Sequence, residues 1–375
     1  MLRLARPDIP DAALDDIATI LRSGMLVHGE FCDRFELRLA DYLGVPHALV
    51  VSSGTAALHL SLLVLGIGHG DAVIVPDFTF PATANVVEMA GAHPLFVDVS
   101  PGSYNIDPQA VRRLCQDRAA RNDIRAILPV HQFGNPCDMR ELTAIAREFN
   151  LYVIEDAACA FGAVTDDGRA GTIGDTGCFS FHPRKMLTTG EGGLVVTGDA
   201  DLAARLAMLR NHGIVAKSGV SRFETAGLNY RMTEVQAAIG LSQLDRYDET
   251  IDRRRRLKTI YDREFDACLE IAIPADGNGH IWQTYMVALA HGLPRDPIIE
   301  RLRKEDIETN IGACSVLSQN AYARYRGDYE GHERWNSVAL YQQGIALPLS
   351  ETYSAEQIGA AAGVIRRVIE ETRAA

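Results

Sequence analysis

One lysine lies between two apolar segments and is followed by a glycine-rich return of the chain. Lys185 ends the stretch FSFHPRK (179–185), and GEGG (190–193) follows it. A tight return of this kind can hold the side chain in place and shield its amine from water. Both conditions favour Schiff-base chemistry, because the nucleophile must be the neutral amine. An isolated lysine is usually a solvated surface charge, so this prediction depends on what lies around it.

Two further segments carry groups that can bind an anion. The stretch SSGTAA (52–57) joins a predicted strand to a buried helix, and its Gly54 permits a tight turn. Free N–H groups at the helix start, together with the hydroxyl of Thr55, would form a phosphate cradle. An ordinary capped helix start has the same composition. The stretch GLNYRM (227–232) could present amide and guanidinium donors to an anion, or it could be a polar loop.

A pair of carboxylates ends one predicted strand. Glu155 and Asp156 close the apolar run LYVIED (151–156). A carboxylate at that place can pair with a protonated ring nitrogen and keep it charged, which turns a pyridine ring into an electron sink. Acidic residues are common at the ends of parallel strands, so this pair alone indicates little.

The elements that must position these groups alternate between strands and helices. This rhythm predicts an α/β protein with a mostly parallel sheet covered on both faces. Open sheets of that kind bind ligands at the carboxyl ends of their strands, where the segments above lie. The predicted strands are His47–Ser52, Ala72–Pro76, Pro94–Val99, Ile124–His131, Leu151–Asp156, Gly177–Phe181 and Gly193–Thr197, and predicted helices include Thr55–Leu65 and Ala82–Ala90.

The pattern changes after about residue 230, where longer helices follow. Thr233 and Gln236 form a capping-box start that predicts a helix over roughly Glu234–Tyr247. Ser354 begins a final helix in the same way. The charged run Arg253–Arg256 is typical of a solvated helix face.

Length and composition bound the class of protein. The 375 residues suggest two domains, or one large domain with an appendage, and we place a large domain at 1–248 and a small one at 249–375. A net charge of −12 argues against nucleic acid or an anionic membrane as the main partner, and no apolar run approaches the ~18 residues that span a bilayer. Seven scattered cysteines indicate neither disulfides nor a metal site, and a reducing cytoplasm is expected.

Taken together, the motifs resemble the DegT-type family of PLP-dependent nucleotide-sugar aminotransferases. The resemblance implies a fold-type I aminotransferase: a large domain with a mainly parallel seven-stranded sheet between helices, a smaller α+β C-terminal domain, and an active site at a homodimer interface. It rests on SSGTAAL (52–58), PDFTFPATAN (76–85), GAHPLFVDV (91–99), PVHQFGNPCDM (129–139), VIEDAA (153–158), FSFHPRK (179–185), GEGG (190–193), RNHG (210–213), GLNYRMTEVQAAIGLSQL (227–244) and ALPLS (346–350).

The resemblance also implies contacts to the ring of pyridoxal 5′-phosphate (PLP). Lys185 would bind PLP as a Schiff base and move the proton between substrate and cofactor. Asp156 would hold the pyridinium, and Phe80 would stack on the ring. Cys159 stands where many relatives place a glutamine near the ring hydroxyl, and a thiol is a poorer hydrogen-bond partner.

Contacts to the cofactor phosphate follow from the same resemblance. Thr55, the amide of Ala56 and the hydroxyl of Ser180 would hold the phosphate, next to the turn at Gly54. Asn229 would reach it from the neighbouring subunit, so that dimerisation would be required for activity.

The implied reaction is transamination. Glutamate is the expected donor; it would convert PLP to pyridoxamine 5′-phosphate (PMP), whose amine passes to a keto group of a nucleotide-linked sugar. A keto-cyclitol aminotransferase stays open, because residues 310–325 depart from the tyrosine–proline–histidine stretch of many relatives. Similar sugar dehydratases carry histidine in place of the lysine, and Lys185 is retained. A non-catalytic regulator of the same fold would be expected to lose the lysine or the aspartate.

Overall fold

The strands of the first half of the chain build one large sheet, and shorter strands form smaller sheets around it. The computed structural model describes residues 1–120, 122–217 and 220–374. In chain order the strands are β1 His47–Val51, β2 Ala72–Pro76, β3 Phe78–Thr79, β4 His93–Val97, β5 Ile124–Ile127, β6 Tyr152–Asp156, β7 Val164–Thr165, β8 Gly168–Arg169, β9 Thr176–Ser180, β10 Gly193–Thr197, β11 Ile214–Lys217, β12 Val220–Phe223, β13 Ile271–Ala272, β14 Tyr285–Leu289, β15 Cys314–Ser315 and β16 Gly344–Leu347.

Helices connect these strands and are the main regular elements in the second half of the chain. In the described residues, none of them has the length and apolar content that crossing a membrane requires. The helices are α1 Ala12–Ser23, α2 Glu30–Leu43, α3 Gly54–Val64, α4 Ala82–Met89, α5 Pro108–Arg118, α6 Met139–Phe149, α7 Ala200–Leu209, α8 Glu234–Leu244, α9 Tyr247–Phe265, α10 Arg295–Lys304, α11 Asn336–Gln343 and α12 Ala355–Ala374, with short 3₁₀ segments at Gln132–Gly134, Asn320–Asp328 and His332–Arg334.

The large sheet has seven strands in the order β1-β10-β9-β6-β5-β2-β4. Strand β10 runs antiparallel to β1 and β9, and the other neighbouring strands are parallel. Val195 packs into the apolar cluster that contains α3, whereas Leu194 and Val196 pack into the cluster that contains α2. Both faces of the sheet are therefore covered, and the predicted α/β fold is confirmed.

Two predicted elements end three or more residues earlier than expected. The strand that begins at Ile124 ends at Ile127, since Pro129 has no N–H for continued pairing. The helix that begins at Glu234 ends at Leu244, and the next begins at Tyr247. Between them Arg246 leaves helical geometry, with φ −106° and ψ 8°.

The predicted capping boxes are present at both helices. The Thr233 hydroxyl accepts from the N–H of Gln236, whose side chain in turn accepts from the N–H of Thr233 at 2.9 Å. Ser354 and Gln357 make the same reciprocal pair at 2.9 and 3.2 Å. Each pair satisfies N–H groups that the first turn of a helix leaves without partners.

The prediction that Arg253–Arg256 is a solvated face is wrong at one position. Arg254 is only 3% exposed, because it lies on the same side of α9 as the buried residues Ile251 and Lys258. Its guanidinium pairs with the carboxylate of Glu351 at 3.0 Å. A charge so far from water requires such a partner.

Helices α9, α10 and α12 pack with the sheet β13-β14-β16 around a core of their own. The first residues of the chain join this unit, since Leu2 bridges to Ile307. Residues of the second half also return to the first: β15 pairs with β3 in a separate two-stranded sheet, and Val316 packs into the cluster that contains α3. The division at residue 248 stays a prediction.

Candidate active site

Strand register brings three predicted site segments to one edge of the sheet. Val51 lies opposite Gly193, and Gly193 lies opposite Ser180, so the ends of β1 and β9 flank the start of β10. On the next strand Asp156 lies opposite Cys178. The groups predicted to hold a phosphate and a ring nitrogen therefore meet at the carboxyl ends of these strands.

The turn that leads into α3 lies directly against the end of β9 and the start of β10. A methyl group on Gly54 would approach the Cβ of Ser180 to 2.8 Å, and one on Gly193 would approach the Ser53 backbone to 2.4 Å. Only glycine permits both close approaches. As a result, the N-terminus of α3 and the Ser180 hydroxyl lie side by side.

The predicted phosphate donors differ in whether they already have a hydrogen-bond partner. Thr55 is exposed at the first turn of α3. The Ala56 N–H, in contrast, donates to the Ser53 hydroxyl at 3.1 Å, so it already has a partner. Sequence reasoning did not single out Ser53, although serine before a buried helix is a typical N-cap.

Asp156 is the buried carboxylate of the site. It is 5% exposed, and it accepts hydrogen bonds from the Thr83 hydroxyl at 2.9 Å and the Ala158 N–H at 3.1 Å. Burial raises the pKa of Asp156 above its ordinary value, while these hydrogen bonds and the charge of Lys185 act in the opposite direction. Two donors fix the plane of the carboxylate. No sequence signal identified Thr83, which lies far from Asp156 along the chain.

The neighbouring carboxylate has a structural role instead. Glu155 is fully buried, and it accepts the N–H groups of Gly171, Ile173 and Gly174 at 2.6–2.8 Å. Its second oxygen also lies 2.9 Å from Nε2 of His131. These contacts use the acceptor capacity of Glu155, so only Asp156 of this pair can bind a ligand.

Lys185 lies half-buried on the loop after β9. Its Nζ donates to the Sγ of Cys159 at 2.9 Å. In the described part of the chain, no carboxylate oxygen lies within 4.0 Å of this amine to form a salt bridge. An amine beside a weakly polar thiol is available for reaction in a way that an ion-paired amine is not.

Phe80 presents its ring to solvent directly after β3. Its side chain is 74% exposed, which is unusual for a phenylalanine. Strand β15 pairs with β3, so that Cys314 lies opposite Thr79. The segment that departs from the family pattern, 310–325, therefore borders the residues around the exposed ring.

Asn229 is exposed on an extended segment beside β1. It bridges to Asn211, and the carbonyl of the next residue, Tyr230, accepts the N–H of Ser52 at 2.8 Å. A cavity of about 690 Å³ opens beside this segment. Residues lining it include Val27, His28, Asn211, His212 and Arg231.

Comparison with known proteins agrees with this arrangement. A profile of the DegT/DnrJ/EryC1/StrS aminotransferase family matches residues 7–366. This chain belongs to that family. The aminotransferase is 42% identical to GDP-perosamine synthase of Caulobacter vibrioides over 287 residues, which is 75% of this chain and 76% of that protein.

Solved structures have the same fold. Spr1654 of Streptococcus pneumoniae in its PMP-form superposes with a TM-score of 0.90 at 27% identity, covering 99% of this aminotransferase and 98% of that chain. PseC of Helicobacter pylori, an aminotransferase of pseudoaminic acid biosynthesis, superposes with a TM-score of 0.91 at 25% identity over 99% of both chains. The chain is a PLP-dependent aminotransferase with the fold that its sequence predicted.

Proposed function

We propose that this aminotransferase transfers an amino group from glutamate to a keto group of a nucleotide-linked sugar, with PLP bound covalently to Lys185. One observation carries this proposal. A buried carboxylate, Asp156, lies at the same end of the sheet as an amine, that of Lys185, which has no carboxylate partner among the described residues. PLP supplies an electron sink that stabilises charge at the substrate carbon.

The ring side of the site fits this cofactor. Asp156 is buried and held by two donors, so it can pair with a protonated ring nitrogen in a place that water does not reach. Phe80 offers an exposed aromatic face on which a ring can stack. The Lys185 amine would act as the base that moves the proton. Cys159 lies against that amine and leaves this edge of the ring with a weak hydrogen-bond partner.

The phosphate side of the site fits as well. The first turn of α3 offers N–H groups and a positive dipole end to an anion. The exposed Thr55 hydroxyl and the Ser180 hydroxyl beside Gly54 add donors. The Ala56 N–H would serve the phosphate by sharing its present bond to Ser53.

Completion of the site by a second subunit is part of the proposal. Asn229 is exposed, and we assign it to the phosphate of the partner's cofactor. Near the cavity beside it, Met25, Leu26 and Val27 are exposed by 45–64%, a concentration of apolar surface typical of an interface. The scattered cysteines support a reducing compartment, and we place the protein in the cytoplasm.

The acceptor is proposed from kinship. A relative with 42% identity is named as a synthase of a GDP-linked amine, which supports a nucleotide-sugar acceptor. A keto-cyclitol is the second candidate, because the 310–325 segment beside Phe80 departs from the family pattern.

A panel of acceptors separates the two candidates. The purified holoenzyme is incubated with glutamate and either GDP-, UDP- or dTDP-linked keto-sugars or keto-inositols, and 2-oxoglutarate is measured. We expect turnover with at least one nucleotide keto-sugar. Turnover with keto-inositols alone would contradict the acceptor assignment while leaving the cofactor assignment intact.

A further inference from the structure

We propose that Gln283 is a positioning residue that holds Lys185 in its reactive place from the far side of the loop. This inference rests on the proposed role of Lys185 in binding PLP. It goes beyond it by naming a residue outside the lysine's own loop that fixes the backbone on both sides of the lysine.

The Gln283 side chain contacts the backbone on both sides of the lysine. Its Oε1 accepts the N–H of Met186 at 3.1 Å, and its Nε2 donates to the carbonyl of Arg184 at 2.8 Å. One amide thus bridges the residues before and after Lys185. A planar group with a fixed donor and acceptor sets both the position and the orientation of the backbone between them.

The bridge is buried at its Met186 end. Gln283 is 7% exposed and Met186 likewise 7%, so water does not compete for the hydrogen bond between them, whereas the hydrogen bond to Arg184 is partly buried. A glutamine placed there for packing alone would be costly, because its rotamer freedom and the solvation of its amide are both lost. The Met186 N–H that it satisfies would otherwise be left without a partner in the interior.

Gln283 is itself anchored by a buried ion pair. The Arg254 guanidinium donates to the carbonyls of Trp282 at 3.1 Å and Gln283 at 2.8 Å. The same guanidinium pairs with Glu351 at 3.0 Å. A continuous set of contacts therefore runs from α9 through the backbone at residue 283 to the lysine loop.

The backbone around Gln283 also touches the other side of the site. Ile281 donates its N–H to the carbonyl of Gly134 at 3.0 Å. A methyl group on Gly134 would lie 2.9 Å from the Cys159 carbonyl and 3.1 Å from the Gln283 nitrogen. The segment is thus packed between the lysine loop and the residue that contacts the lysine amine, which restricts its movement.

A second glutamine provides a matched comparison. Gln243 of α8 is equally buried, at 6% exposed. Its Oε1 accepts the N–H of Thr188 at 3.1 Å, and its Nε2 donates to the carbonyl of the same residue. It makes the same kind of bridge to the same loop, but three residues beyond the lysine. Comparing variants of Gln283 and Gln243 therefore separates general support of the loop from positioning of Lys185.

The experiment compares Gln283→Met and Gln243→Met, which remove the amide and keep the length of the side chain. Each holoenzyme is mixed with saturating glutamate, and the first-order rate constant for bleaching of the cofactor band is measured in a single turnover. This constant does not depend on the fraction of enzyme that is active. Melting temperatures and KM for glutamate are measured alongside.

We expect Gln283→Met to slow bleaching about tenfold to a hundredfold, because small displacements of a reacting group cost that much. KM for glutamate should stay within about twofold, and Gln243→Met should slow bleaching much less at a similar loss of melting temperature. Equal rates in wild type and Gln283→Met, or equal slowing in both variants, would overturn the proposal.

If Gln283→Met does not fold, Gln283→Glu replaces it in the same experiment. This variant keeps the acceptor for Met186 and loses only the donor to Arg184. Failure of both to fold, while Gln243→Met folds, would assign Gln283 a structural role and overturn the proposal. A wild-type protein without a cofactor band would instead contradict the proposed function. The two claims therefore fail by different observations.

Discussion

At the scale of single residues, the site depends on two adjacent acids with opposite surroundings. Glu155 is surrounded by N–H groups that use its oxygens, whereas Asp156 keeps capacity for a ligand. The alternation of a strand explains the difference, because consecutive side chains point to opposite faces. Burial without full compensation is a frequent property of functional carboxylates.

Replacement of Asp156 tests its proposed role in catalysis. Asp156→Asn keeps the shape but cannot hold a ring nitrogen in its charged form, so kcat should fall on the order of 10²–10³-fold. The control is Glu155→Gln, for which we expect a lower melting temperature and a smaller loss of kcat per bound cofactor. Equal kcat losses in both variants would argue against a special role for Asp156.

The raised pKa of Asp156 also predicts a pH-dependent effect on stability of the cofactor-free protein. Because burial raises the pKa of the folded carboxyl above its ordinary value of 3.8, the ionised form destabilises the fold at neutral pH. Cofactor-free Asp156→Asn should therefore unfold at higher urea than wild type at pH 7. The difference should disappear below about pH 4, where the carboxyl is protonated in both states. A variant less stable at pH 7 would contradict this account.

At the scale of elements, the site exists because a turn and two strands approach unusually closely. Gly193 permits the Ser53 backbone to lie beside the start of β10, which places the α3 N-terminus next to Ser180. Gly198 at the other end of the same strand has open space around it.

Substitution of these two glycines tests the geometry of the phosphate cradle. Gly193→Ala should push the turn at Ser53 away from Ser180 and weaken PLP binding about tenfold to a hundredfold, the usual cost of lost hydrogen bonds to a charged group. Gly198→Ala should bind PLP like wild type. Equilibrium titration of the cofactor-free proteins measures both. Equal affinities in the two variants would exclude a cradle at this turn.

A buried glutamate links two helices near the proposed interface. Glu234 at the start of α8 accepts the N–H groups of Gly29, Phe31 and Cys32 at 2.9–3.0 Å. It therefore satisfies the first turn of α2 from outside that helix.

Loss of this contact should destabilise the fold. Glu234→Gln replaces one carboxylate oxygen with an NH₂ group, which is itself a donor and cannot accept from the N–H groups of α2. We therefore expect the free energy of unfolding to fall by about 1–3 kcal/mol. Glu249→Gln on the exposed side of α9 is the control, with an effect within about 0.5 kcal/mol. Chemical denaturation measures both, and a negligible effect of Glu234→Gln would show that water replaces the carboxylate.

Local patterns predicted the seven strands of the large sheet, the helices α3, α4, α8 and α12, and both capping boxes, because apolar spacing and caps are encoded within a few residues. They did not predict the burial of Arg254, since a run of four arginines hides which one faces inward. Nor did they predict Thr83 beside Asp156 or Gln283 across the lysine loop. The last contact joins residues 99 apart in the chain, and no local pattern specifies it.

At the scale of the whole molecule, we propose that the site is completed by a second subunit. Asn229 is exposed, and apolar residues lie exposed near it. A cyclic dimer would give two equivalent sites, each with Lys185 from one subunit and Asn229 from the other.

Mixing two defective variants tests this sharing. Lys185→Ala should be inactive and Asn229→Ala strongly impaired, but an exchanged mixture should recover about a quarter of wild-type activity. Half of the randomly formed dimers contain both variants, and each of these has one intact site of two. If Asn229 acted on the cofactor of its own subunit, mixing would give no gain over the average of the separate variants.

The central claim is that Lys185 binds PLP and thereby makes the chain an aminotransferase. The most direct test is the absorbance spectrum of the purified protein after incubation with PLP. We predict a band near roughly 410–430 nm that glutamate bleaches and that Lys185→Ala lacks. A protein that stays colourless with PLP, or a Lys185→Ala variant with the same glutamate-sensitive band, would contradict the claim.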